Sequence, residues 1–176
     1  MRENPQEHKH LWDLCTGSGC IALAIKSERE LWDIRAGDLS EDALLIAQEN
    51  AQKHRLSVDF YTVDVFDWKT PGGQCDIIVS NPPYVFPSEK KQMHTNVVDY
   101  EPSMALFVPE EDPLCYYSAI LRIAEQELSP NGVVYFEINP KTTASLVALG
   151  KSFNFNSAVT KKDIFGKERF VKFSKR

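Results

Sequence analysis

Short β-branched and aromatic runs alternate along this chain with longer stretches of helical periodicity, and that alternation restricts the fold more than any other feature. "HLWDL" (10–14), "WDIRAGD" (32–38), "SVDFYTV" (57–63), "CDIIVS" (75–80) and "GVVYFEI" (132–138) read as strands, as do "FNSAVTK" (155–161) and "RFVKFS" (169–174). Between them, "GCIALAIKSEREL" (19–31), "SEDALLIAQENAQKH" (40–54), "DPLCYYSAILRIAEQEL" (112–128) and "PKTTASLVALGKSF" (140–153) read as helices. In the second helix Ala43, Leu44, Ala47 and Ala51 recur at helical spacing, and Ser40 is a natural N-cap with Glu41 and Asp42 facing the helix dipole. Such alternation demands a parallel sheet built from right-handed crossovers, with helices on both faces. Only "KDIFGKE" (162–168) separates the final two strands, which leaves no room for a helix, so they should form an antiparallel hairpin.

The chain has 176 residues, 43% hydrophobic and 26% charged, enough for one domain with a sizeable core. Its net charge of −5 argues against a long nucleic-acid footprint. No apolar run reaches the roughly 20 residues of a membrane helix, and "MRENPQEHKH" is not a signal peptide. Cys15, Cys20, Cys75 and Cys115 lack CxxC spacing and lie in or beside apolar stretches, the pattern of buried, reduced thiols in a cytoplasmic protein. His8, His10, His54 and His94 are scattered, so no metal is expected. Tyr116, Tyr117 and Trp32 fit core or helix-face packing. The stretch 87–111, "PSEKKQMHTNVVDYEPSMALFVPEE", is too long and polar for an ordinary connector and is a candidate substrate lid.

Chemistry concentrates at strand ends. In "DLCTGSGC" (13–20), Gly17 and Gly19 let the backbone approach a ligand, and the following helix offers free N–H groups. A dinucleotide loop would need a third glycine, and Asp13 would repel a phosphate while attracting an amino group. Asp38 ends the second strand, where it can accept both hydroxyls of a ribose. Asp64 follows the third strand, with Val65 and Phe66 apolar beside it, suited to the exocyclic amine and faces of adenine. The implied ligand has a cationic amino acid end, a ribose, an adenine and no phosphate, which S-adenosylmethionine fits.

The fourth strand stops at "SNPPYV" (80–85) because two prolines remove two donors and fix two φ angles. That stop leaves Asn81 Oδ1 and the Pro82 carbonyl as acceptors and Tyr84 as a stacking face. An amide or exocyclic amine nitrogen is a poor nucleophile. Accepting its N–H groups and aiming its lone pair at an activated methyl is mainly a positioning task, worth roughly 7–11 kcal/mol of barrier.

"DLCTGSGCIALAI", "GDLSEDAL", "SNPPYV", "YEPSMALF" (100–107), "VVYFEIN" (133–139) and "DIFGKERFV" (163–171) together resemble the HemK-type protein glutamine methyltransferases, over nearly the whole chain. The resemblance implies an α/β, Rossmann-like class I S-adenosylmethionine-dependent methyltransferase fold, a seven-stranded, mostly parallel sheet with an antiparallel last strand. It implies methylation of the side-chain amide of the glutamine in the Gly-Gly-Gln motif of a peptide chain release factor, a cytoplasmic step of translation termination. Carried over by position, Asn81, Pro82, Pro83 and Tyr84 are the glutamine site. Asp13, Cys15, Thr16, Gly17, Ser18, Gly19, Asp38, Leu39, Asp64, Val65, Phe66 and Asn81 surround the cofactor. Glu101 and Pro102 belong to a loop over the site, and Glu137 matches a recurrent acid in its support.

Two departures stand out. Cys15 occupies the first glycine of the usual D-x-G-T-G-S-G loop, and the family's helical N-terminal domain is not represented, so residues 1–176 read as the catalytic domain alone. Alternatives to a release-factor substrate are a ribosomal protein, the adenine N6 of DNA, which the same "NPPY" could take as a flipped base, or a cofactor-binding fragment without activity.

Overall fold

The computed structural model describes residues 7–69, 73–92 and 103–175. Seven strands, β1 (His10–Leu14), β2 (Asp33–Asp38), β3 (Asp59–Thr62), β4 (Cys75–Ser80), β5 (Leu128–Glu137), β6 (Ser157–Lys162) and β7 (Glu168–Ser174), form one sheet in the order β3-β2-β1-β4-β5-β7-β6. The first five are mutually parallel, and β7 runs antiparallel to both β5 and β6. The C-terminal pair is therefore the hairpin expected from its short connection. Order reverses between β1 and β4, which opens a crevice at their carboxyl ends, the position where such sheets take ligands.

Alternation along the central strands divides the core in two. Trp12 and Ile78 point into one layer, under α4 (Cys115–Glu127) and α5 (Thr143–Ser152), joined by Tyr117, Ile120, Phe136 and Leu146. Leu11 and Ile77 point the other way, toward Ala22 of α1 (Cys20–Glu28) and Trp32. The helix α2 (Glu41–His54) buries Leu44, Ala47 and Ala51, leaves Ala43 half-buried, and is capped as expected, Ser40 Oγ accepting from Ala43 N–H at 3.2 Å.

Three expectations shift. The fifth strand starts at Leu128 rather than 132, because Leu128 is buried and pairs with Cys75, and a register shift follows before Ile77 meets Val133. The stretch 140–153 divides into a 3-10 turn, Pro140–Thr142, and α5. Cysteine burial holds fully only for Cys75. Cys15 and Cys115 are half-buried, and Cys20, at the first turn of α1, is exposed; all four thiols are free.

Within 87–111, the segment Pro87–Gln92 is a 3-10 helix and α3 (Ser103–Leu106) is a single turn. Val85 and Phe107 form a parallel bridge, with Val85 N–H donating to the Leu106 carbonyl at 2.9 Å and Val108 N–H to the Val85 carbonyl at 3.0 Å. The stretch is thus closed at its foot against the proline turn. Glu101 and Pro102 lie outside the described residues.

Candidate active site

The loop after β1 turns on three left-handed residues, Cys15 (φ 60°), Gly17 (φ 55°) and Gly19 (φ 79°). Their roles differ. A Cβ on Gly19 would stand 3.0 Å from that of Ala47, so glycine there lets α1 pack on α2. A Cβ on Gly17 would meet nothing within 4 Å, so glycine there leaves backbone open toward free space. Cys15 occupies the left-handed conformation with a side chain, at a cost of roughly 1 kcal/mol or more. Burial pushes its thiol up to about 12, with Asp38 adding to the effect, which disfavours the thiolate.

Asp13 is fully buried beneath this loop. Its Oδ2 accepts from Thr16 Oγ1 at 2.7 Å and from the N–H of Ala22 at 3.1 Å, while Oδ1 is buried with no partner. Burial raises its carboxyl to about 7, against the lowering effect of those two bonds. Asp13 and the side chain of Thr16 therefore brace the loop from inside, whereas the sequence suggested a carboxylate presented outward to an amino group.

Asp38 is half-buried and also holds backbone: Oδ2 accepts from Gly17 N–H at 2.8 Å and Oδ1 from Ser40 N–H at 3.0 Å. Asn50 of α2 adds a third brace, its Nδ2 donating to the Ser18 carbonyl at 3.1 Å. Asp64 Oδ1 accepts from Phe66 N–H at 2.8 Å in a tight turn. Val65 is buried, while Leu39 and Phe66 are 51% and 56% exposed, two apolar side chains offered to solvent on the carboxyl side of β2 and β3. Phe66 packs against Tyr116 with ring centroids 4.8 Å apart and planes tilted by 60°. Burial raises the Tyr116 hydroxyl, with Cys15, Asp64 and Asp38 among the groups that add to the effect. The packing expected of Tyr116 is present, since it lies half-buried against the core.

The proline turn starts beside the glycine loop: Ser80 pairs with Leu14 in register, and Ser80 Oγ donates to the Leu14 carbonyl at 2.6 Å. Pro82 and Pro83 are buried, and Asn81 is exposed with no hydrogen-bond partner among the described residues. Tyr84 is tethered. Its hydroxyl donates to Glu137 Oε1 at 2.7 Å, and burial together with that carboxylate pushes its ionisation well above the ordinary range. Tyr117 donates to the Glu137 carbonyl at 3.0 Å. Asn139 Nδ2 donates to the Tyr84 carbonyl at 3.2 Å and to Glu89 Oε2 at 2.8 Å, and Lys141 Nζ lies 2.7 Å from Glu89 Oε1. Burial would raise Glu89, but bonds from Lys141, Phe86 N–H and Asn139 outweigh it and hold the carboxyl below its usual value. Glu137 thus anchors the turn from behind, and Asn139, Glu89 and Lys141, which sequence reading passed over, complete the anchor.

Lys161 and Lys162 lie on β6, both exposed. Among the histidines, His94 lies outside the described residues, while His8 and His10 are not scattered but meet at Asp33. A cavity of about 440 Å³ opens there, lined by His10, Asp33, Arg35 and Asp59 at the amino ends of the strands, far along the sheet from the glycine loop.

The Gly17 backbone with free space before it, the exposed apolar pair Leu39 and Phe66 and the unpartnered Asn81 amide fit an adenosyl cofactor at the carboxyl ends of β1 to β4. Comparison with known proteins agrees in kind. A release factor glutamine methyltransferase of Bacteroides thetaiotaomicron is 41% identical over 172 residues, 97% of this chain and 62% of that protein. The chain therefore spans about three fifths of the length of that relative. A Pyrococcus furiosus methyltransferase structure superposes with a TM-score of 0.70 at 17% identity, covering 98% of this chain and 77% of that one. The structure of PKMT2 from Rickettsia typhi in complex with AdoHcy matches with a TM-score of 0.53 at 17% identity, covering 73% of this chain and 20% of that one. Residues 1–100 match the family model of the methyltransferase small domain, and with the seven-stranded sheet and loop geometry described above, the chain belongs to that family.

Proposed function

We propose that this chain is the catalytic domain of an S-adenosylmethionine-dependent protein glutamine N-methyltransferase, acting in the cytoplasm on the Gly-Gly-Gln glutamine of a peptide chain release factor. The observation that carries the reading is Asn81, an exposed amide without a hydrogen-bond partner among the described residues, on a turn fixed by Pro82 and Pro83 and tied to the end of β1 through Ser80. The 41% identity to a release factor glutamine methyltransferase supports the choice of substrate. Among the described residues no helix is long and apolar enough to cross a membrane, which is compatible with that location.

Each residue then has a task. Gly17 backbone and Ser18 hold the methionine end, Asp38 the ribose, and Leu39, Val65, Phe66 and Asp64 the adenine. Bound S-adenosylmethionine supplies a methyl already activated by its sulfonium charge. Asn81 Oδ1 and the Pro82 carbonyl accept the two N–H bonds of the glutamine amide and orient its nitrogen. The Tyr84 ring, fixed by Glu137, holds the carboxamide plane. The alkylated nitrogen sheds a proton to water, so no strong base is required. Asp13, buried and accepting from Thr16 Oγ1 and Ala22 N–H, braces the loop that holds the cofactor.

Incubation with methyl-labelled cofactor and three acceptors (a release factor, ribosomal proteins and DNA) tests the assignment. Label is expected on the release factor and lost when its Gly-Gly-Gln glutamine is replaced. Label in DNA alone, or in ribosomal protein alone, overturns the substrate.

A further inference from the structure

We propose that His8, His10 and Asp33 form a site for one divalent transition-metal ion of the zinc type, at the opposite end of the sheet from the glycine loop. His8 Nε2 and His10 Nδ1 each lie 3.4 Å from the same oxygen, Asp33 Oδ2. The three donor atoms all lie within 4.8 Å of one another. Donors held about 2.0–2.1 Å from a tetrahedral zinc stand about 3.3–3.4 Å apart, so the two nitrogen–oxygen separations already match edges of that polyhedron.

The arrangement is built by the backbone. His8 and His10 flank Lys9 in extended chain entering β1, so both side chains fall on one side. The β1–β2 register sets His10 opposite Asp33, and Asp33 N–H donates to the Lys9 carbonyl at 2.9 Å. Trp32 Nε1 donates to the Glu7 carbonyl at 2.8 Å, pinning the segment one residue upstream. The ligands are therefore positioned before any ion arrives.

Charge favours a cation over simple ion pairing. The imidazoles sit with centroids 5.2 Å apart and are about half exposed, at 54% and 52%. Two imidazolium ions that close repel one another, and exposed pairs with a carboxylate return little. Two neutral imidazoles and one carboxylate facing a single ion suit zinc, nickel or copper, and not magnesium or calcium, which prefer all-oxygen sites. The fourth position remains open to solvent or the adjoining cavity, which His10 and Asp33 also line. Bound metal would staple residues 8–10 to the start of β2, a structural task distant from the amide site.

The test is calorimetric titration of chelator-treated protein with zinc chloride, with magnesium chloride as control, and cobalt(II) absorption as a ligand-sensitive readout. One zinc per chain with micromolar affinity is expected, no magnesium binding, and cobalt bands of a nitrogen–oxygen site without thiolate charge transfer. His8→Ala and Asp33→Asn, both exposed positions, should each weaken zinc by at least about tenfold, since even outer-shell losses cost that much. Cys20→Ser should change nothing, because the exposed Cys20 thiol is the competing ligand. Absence of zinc binding at submillimolar concentration, binding unchanged in both the His8 and Asp33 variants, or binding lost with Cys20→Ser overturns the proposal.

Discussion

Replacing Tyr84 by Phe removes one hydroxyl and leaves the ring, so it isolates the tether between the proline turn and β5. The lost bond is a 2.7 Å donation to the Glu137 carboxylate, partly buried. Hydrogen bonds to charged groups contribute about 1.5–3 kcal/mol, and the abandoned carboxylate oxygen keeps its desolvation cost. For a chain of 176 residues, each kcal/mol moves Tm by about 2–4 °C, so Tyr84→Phe should lower Tm by about 3–12 °C. Urea unfolding followed by circular dichroism, on Tyr84→Phe, Glu137→Ala and the double variant, gives the coupling directly. A coupling of about 1.5–3 kcal/mol is expected, with kcat on the amide substrate falling in both single variants and hardly further in the double. A coupling within the roughly 0.3–0.5 kcal/mol scatter of independent sites would refute the anchoring role of Glu137.

Asn81→Ala should leave cofactor binding within a few-fold and abolish methyl transfer, measured by calorimetry and labelled-methyl assay; retained turnover would defeat the amide-positioning role. Asp38→Ala removes acceptors for Gly17 N–H and Ser40 N–H and should weaken cofactor binding at least about tenfold, or about 1.4 kcal/mol, by titration; a change under twofold would count against it. Asp13 is raised from 3.8 to about 7 by burial, so between those values the folded chain keeps a proton that the unfolded chain has released. Stability should therefore fall as pH rises through that window, by at most about 4 kcal/mol, and Asp13→Asn should flatten the fall; melts at pH 4 to 8 with equal slopes for both proteins would contradict this.

The sheet was legible because strand and helix patterns differ in period, and because the connection between the last two strands, five residues in the structure, excludes a crossover. Boundaries were less so. Leu128 belongs to β5 through pairing with Cys75, a contact 53 positions away that no local pattern encodes. At the site, the residue types at strand ends announced a phosphate-free adenosyl ligand, yet not which way each side chain points. Asp13 pairs with Ala36, two residues short of Asp38 at the end of β2, and only that register and the packing around it decide that one is sealed under the loop while the other is half-open. Asn139, Glu89 and Lys141 were invisible for a related reason, since their partnership depends on the turn after β4 folding back on the end of β5. The His8, His10 and Asp33 cluster likewise exists only once β1 and β2 are in register.

The helix α4 passes into β5 without an intervening residue, Glu127 being followed at once by Leu128, and Tyr117 ties the far ends together through the Glu137 carbonyl. One continuous piece of chain therefore carries Tyr116, packed on Phe66, and Glu137, bonded to Tyr84. In the proposed function, the spacing between donor and acceptor pockets then runs through a single piece of chain whose one irregularity is the register shift between Leu128 and Val133. A glycine inserted at that junction would detune transfer while leaving every contacting residue in place.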